Sequence, residues 1–159
     1  MAAGAWKIYA KAKQFLGNGT IVLGVGGDNF KMALLRQSAT VLNIDVLSTL
    51  SQWSQIEAVE ISQRGGYITG GRNLVPATGL WTAGVSTKQI KFTYSTTGLV
   101  YTANGSDLKD IRFAVIRNST GASAGKLLCF CTLSTLQFTI SSPNTLTILP
   151  AATGVFTLA

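Results

Sequence analysis

From residue 88 onward the chain consists almost wholly of strand-length apolar runs cut by turn residues. This spacing constrains the fold more than any other feature. The runs are Gln89–Tyr94, Leu99–Tyr101, Ile111–Arg117, Lys126–Thr132, Gln137–Ile140 and Thr145–Leu149. Asn104-Gly105 and the stretches 118–125, 141–144 and 151–154 separate them. β-Branched and aromatic residues suit a pleated, half-buried backbone, and Asn, Gly, Ser and Pro suit tight turns. Within the first run, Ile90, Phe92 and Tyr94 alternate with Lys91 and Thr93, so one face is expected in the core and the other in water. Short strands at about ten-residue spacing predict a mainly β protein, an antiparallel β-sandwich or jelly-roll-like domain with one or two short helices.

The first half is more mixed. Trp6–Leu16 has helical spacing, with Ile8, Ala12, Phe15 and Leu16 on one face and Lys7, Lys11 and Gln14 on another. Gly17-Asn18-Gly19 is a helix stop. Residues 1–16 therefore read as an arm or short helix, and 17–159 as one β-sandwich domain. Thr20–Val25 and Phe30–Leu35 flank the turn 26–29 and predict a hairpin. Asp45–Ile56 predicts a second helix, with Val46, Leu47, Leu50 and Trp53 near one stripe. Ala58–Ile61 returns to a strand pattern. The glycine pairs Gly65-Gly66 and Gly70-Gly71 imply two tight turns or bulges flanking a short strand. The apolar tail Val155–Ala159 is expected to pair in a sheet, its own or a neighbour's.

The residues that usually carry catalysis are scarce. There is no histidine, and the only acids are Asp28, Asp45, Glu57, Glu60, Asp107 and Asp110. Proton transfer at neutral pH generally uses a histidine or two closely held carboxylates. Asp107/Asp110 and Glu57/Glu60 are the close pairs, and both read equally as caps or as partners for Lys109 and Arg112. No enzymatic activity is expected. Gly24-Val25-Gly26-Gly27 lacks the Gly-Lys-Ser/Thr and following helix of a phosphate loop. Cys129 and Cys131 are spaced to share one face of a strand, which is not the spacing of a redox or zinc site, and read as two buried apolar residues. No metal and no cofactor are expected.

The surface chemistry points to partners. The chain is 47% hydrophobic and 12% charged, against about 25% charged in an average soluble protein. Either partners cover part of its apolar surface, or Thr, Ser, Asn and Gln solubilise it. The net charge is +7. Lys7, Lys11 and Lys13 cluster, but the other bases are spread singly and do not interleave with aromatics, so no specific nucleic acid partner is expected. The basic residues fit an acidic protein surface better. Trp6, Lys7, Lys11, Lys13, Arg64 and Arg72 are the candidate docking residues. Trp53, Trp81 and the tyrosines leave a glycan-stacking module as an alternative. The lysines follow Met1–Ala5 before any long apolar run, so neither a secretory leader nor a membrane span is expected.

Three ordered segments resemble a family of small virion structural proteins of tailed bacteriophages. The first is Tyr9-Ala10-Lys11-Ala12-Lys13 with Gly17-Asn18-Gly19-Thr20-Ile21, followed by Phe30–Leu35. The second is Glu60-Ile61 with Gly66-Tyr67-Ile68-Thr69-Gly70-Gly71 and Leu74. The third is Ile111–Ile116, Leu127–Thr132, Phe138–Ile140 and Gly154–Leu158. The resemblance implies a capsid decoration (cement) protein made in the bacterial cytoplasm and located on the virion. Its partner would be the major capsid protein, and it would form a homo-oligomer, a dimer or trimer. A tail or fibre-associated protein is the alternative. The family's acidic residues are largely missing here, so the resemblance does not say which face meets the capsid.

Overall fold

A computed structural model describes residues 4–23, 26–37, 49–74, 81–83, 90–94, 97–150 and 154–158. Three strands form its centre: β2 (Phe30–Leu35), β8 (Phe113–Asn118) and β9 (Leu127–Thr132). Nearly every residue of these strands is buried on both faces. That explains why they read as continuous apolar runs and not as alternating ones. They belong to a five-stranded antiparallel sheet of order β1-β9-β8-β2-β3, with β1 (Lys7–Ile8) and β3 (Arg72–Asn73) at its edges.

The remaining described strands make three smaller antiparallel ladders. β6 (Leu99–Thr102) pairs with β11 (Thr145–Ile148), and β7 (Leu108–Ile111) with β10 (Phe138–Ile140). β5 (Ile90–Phe92) lies between β4 (Trp81–Ala83) and β12 (Phe156–Leu158). One apolar cluster connects these ladders. Phe30 packs edge-on against Phe92 at 5.7 Å, and Phe156 stacks on Phe92 at 5.2 Å. The protein is thus mainly β and antiparallel, with one α-helix among the described residues. The apolar tail is paired within its own chain, as β12 against β5.

Several local expectations are corrected. The expected helix from Trp6 begins only at Ala10: α1 spans Ala10–Gly17. Lys7 and Ile8 pair with Phe130 and Cys129, and Tyr9 is fully buried 5.1 Å from the Phe130 ring. That ladder and burial outweigh the helical propensity of the first turn. The stop forms as expected, with Asn18 N–H donating to Gln14 O and Gly19 at a positive φ of 73°. The hairpin of Thr20–Val25 with Phe30–Leu35 is not formed: 20–23 is irregular, 24–25 lies outside the described residues, and β2 pairs instead with β8. Of the expected helix Asp45–Ile56, residues 45–48 lie outside the described residues. The rest contains a 3-10 turn at Trp53–Gln55, followed by another at Glu57–Val59; of the strand expected over Ala58–Ile61, a single antiparallel bridge from Glu60 to Leu35 is formed. Gln55 Oε1 accepts from the backbone of both Ser51 and Gln52, each at 2.9 Å, and tightens the first turn. The glycine pairs form two turns as expected, but the residues between them are not a strand.

Cys129 and Cys131 are fully buried on β9. Burial pushes the Cys131 thiol up to about 12 and the Cys129 thiol well above its usual value of 9.0. Burial thus leaves very little of the reactive thiolate near neutral pH. Neither cysteine is therefore expected to react with an aromatic disulfide reagent at pH 8 in the folded protein, and both should react in denaturant. Rapid modification of the native protein would contradict this burial.

Candidate docking surfaces

The N-terminal docking residues lie together at the β1 edge. Trp6 is half-buried, and Lys7, Lys11 and Lys13 are exposed. Two helical steps rotate a side chain by about 200°, so Lys11 and Lys13 flank opposite sides of α1. Ala12 between them is buried. Lys11 Nζ donates to Gln14 Oε1 at 3.2 Å. Lys126 adds a cation here, with Nζ 4.7 Å from the centre of the Phe15 ring. Sequence reading missed Lys126, because only the pairing of β1 with β9 brings its loop beside the helix.

Arg72 is exposed on β3, the other edge of the same sheet, and Arg64 is exposed in the preceding turn, whose Gly65 O accepts from Asn104 N–H. Four strand spacings separate β1 from β3, which is about 19 Å. The six candidates therefore form two groups and not one patch. Arg72 is partly committed inside the molecule, since Nη1 donates to Val100 O.

Between Arg64 and Arg72 the chain makes two sharp turns. Gly65, Gly66, Gly70 and Gly71 all have positive φ. At Gly71 a side chain would overlap the Met32 carbonyl of β2. Glu60 braces this segment from below. Its Oε1 accepts from the Tyr67 hydroxyl at 2.5 Å and from Gly70 N–H at 2.7 Å. The Tyr67 oxygen accepts from Leu34 N–H at 3.0 Å, tying the turn to β2. Arg117 Nη2 donates to Gly70 O at 2.8 Å, and its guanidinium lies 4.8 Å from the Trp53 ring centre. Burial raises the Glu60 carboxyl above its ordinary range, against the opposing pull of Tyr67, Gly70 and Arg117. Burial likewise lowers Arg117.

Two of the four carboxylates considered for catalysis, Glu60 and Asp107, have structural contacts. Glu57 is exposed while Glu60 is buried in the brace. Asp107 Oδ1 accepts from Ser142 N–H at 3.1 Å, and Asp110 is an exposed residue with φ of 62°. Trp53, one of the two tryptophans weighed for glycan stacking, is buried beside Arg117. The side chain of Trp81 lies outside the described residues.

One feature escaped the sequence. An open groove of about 450 Å³ runs along β11, walled by Leu133, Phe138, Ile140, Leu146, Ile148 and Leu149 and lined by no charged side chain. Leu149 is 55% exposed. The alternation Thr145-Leu146-Thr147-Ile148 signals one apolar face, but nothing local shows that this face ends at an open edge.

No family model matches this chain, and no curated protein or solved structure matches it.

Proposed function

We propose that this is a non-enzymatic virion structural protein, a capsid decoration protein that binds the outer capsid surface and bridges neighbouring major capsid protein subunits. The observation that carries the reading is the placement of basic residues at both edges of the five-stranded sheet, about 19 Å apart. A body with separated cationic contacts can touch two acidic subunits at once, and many copies on one lattice gain retention through multivalency. The ordered resemblance of the three sequence segments supports the same reading. Trp6 and the lysines would form one contact, and the Arg64–Arg72 turn the other.

Copy number in purified particles, measured by quantitative mass spectrometry, tests this. Hundreds of copies in simple ratio to the major capsid protein are expected. About three to a few dozen would move the protein to the tail or fibre, where symmetry favours small closed rings. Absence from the particle would end both structural readings. Replacing Lys7, Lys11 and Lys13 together by glutamate is expected to lower retention on particles by about tenfold or more at low salt, with a smaller effect at high salt.

A further inference from the structure

The groove along β11 lies beside a strand edge whose backbone groups can be assigned one by one. The β6–β11 register and the bond from Ala103 N–H to Asn144 O fix which backbone groups face which way. In an antiparallel ladder, hydrogen-bonded and non-hydrogen-bonded pairs alternate. Leu146 and Ile148 therefore point their N–H and C=O groups at β6, as does the Asn144 carbonyl (its N–H donates to Ser141 O at 2.8 Å), while Thr145 and Thr147 point theirs outward. Both threonines are exposed, and no backbone partner meets them among the described residues. The far side of β6 is closed: Val100 O accepts from Arg72, and Asn104 N–H donates to Gly65 O at 3.0 Å.

Edge strands are ordinarily blunted by charge, proline or brevity. The two edges of the main sheet follow this rule, since β1 and β3 are each two residues long and carry Lys7 and Arg72. β11 does not. It is four residues, Thr-Leu-Thr-Ile, continuous in register and uncharged, as is its partner β6. The charge pattern decides the occupant. A +7 chain repels its own copy wherever lysine and arginine face each other. It can approach itself along an uncharged ribbon. In such a pairing the two Arg72 groups would stand five strand spacings apart, about 24 Å, well beyond the screening length of about 8 Å.

We infer that β11 pairs antiparallel with β11 of a second copy across a two-fold axis, joining the two β6–β11 ribbons into one four-stranded sheet. Thr145 and Thr147 must form the hydrogen-bonded pairs, so Thr145 lies opposite Thr147 of the partner copy and Leu146 opposite its own equivalent. This register makes four N–H···O bonds and brings the two apolar grooves together across the axis. It does not depend on the capsid reading, and its test uses the purified full chain alone.

Sedimentation velocity across a concentration series is expected to show a reversible dimer. Thr147→Pro removes one outward N–H from each copy, at an edge position where proline is tolerated in the monomer, and should weaken the dimer by roughly a hundredfold. Leu146→Cys should form an intermolecular disulfide on mild oxidation, because a non-hydrogen-bonded pair sets the two Cα atoms about 4.5 Å apart. Thr147→Cys, out of register with itself, should crosslink poorly. Hydrogen exchange on the unmodified chain supplies a readout that needs no variant: the Thr145 and Thr147 amides should gain protection as concentration rises. A chain that stays monomeric throughout would overturn the proposal. So would a dimer indifferent to Thr147→Pro, or one in which these two amides exchange freely.

Discussion

Gly71→Ala is expected to lower the unfolding free energy by about 3 kcal/mol, the sum of a backbone and a packing penalty. Gly71 has φ of 82°, where an L-residue loses about 1–2 kcal/mol relative to glycine. The second penalty is specific to its neighbours. A Cβ at this position would overlap the carbonyl of Met32 and crowd the Ala33 Cα, both backbone atoms of β2. Neither can rotate away as a side-chain tip could, so β3 must move off β2. That movement threatens the pairs Lys31–Asn73 and Met32–Arg72 and the bond from Leu74 N–H to Phe30 O at 2.9 Å. It also disturbs the Met32 carbonyl as acceptor of the Tyr101 hydroxyl at 2.6 Å. Gly105→Ala is the control. Gly105 has a similar φ of 71° but open space around its Cβ position, so only about 1–2 kcal/mol should be lost there. Urea unfolding of the two variants separates the effects, and equal losses would show that the close approach at Met32 carries no energy.

What could be read in the sequence follows from how local each signal is. β8 and β9 are long apolar runs bounded by turn residues, and each is visible as a strand because hydrophobic pattern and turn chemistry agree over neighbouring residues. The Gly17–Gly19 stop is equally local. The partner of β2 is not: Phe30–Leu35 pairs with a strand some 80 residues later, while a closer apolar run, Thr20–Val25, offers the simpler hairpin. Nothing within either segment reveals which wins. Lys7 and Ile8 fail as helix for the same reason, since their ladder partners lie at Phe130 and Cys129. The candidate docking residues were legible as types but not as a site. Sheet order alone sends Arg72 to the edge opposite the lysines. The turn at Gly65–Gly71 was visible from its glycines, but the brace beneath it was not. Glu60 read as one of two weakly paired carboxylates until the fold placed it under Tyr67 and Gly70.

That brace makes the sharpest demand on energetics. Glu60→Ala is expected to destabilise the protein by about 2–4 kcal/mol, because it strands two donors, the Tyr67 hydroxyl and Gly70 N–H. Glu60→Gln should behave differently. Both donors meet the same oxygen, Oε1, and an amide carbonyl can accept both while removing the charge. The pH dependence then isolates that charge. Burial raises the folded carboxyl above its unfolded value. Between those two values the folded state holds a proton that the unfolded state has released. Stability therefore falls as pH rises through this window, and the protonated form's advantage is fully present only below the unfolded value. Glu60→Gln has no such titration. At acid pH the two proteins should be close in stability, and the glutamine variant should gain on the parent as pH rises through and above the carboxylate range. Paired chemical unfolding curves at several pH values measure the difference directly. A parent that instead gains on the variant with rising pH would mean that Tyr67, Gly70 and Arg117 together outweigh burial, and that Glu60 serves the turn as an anion.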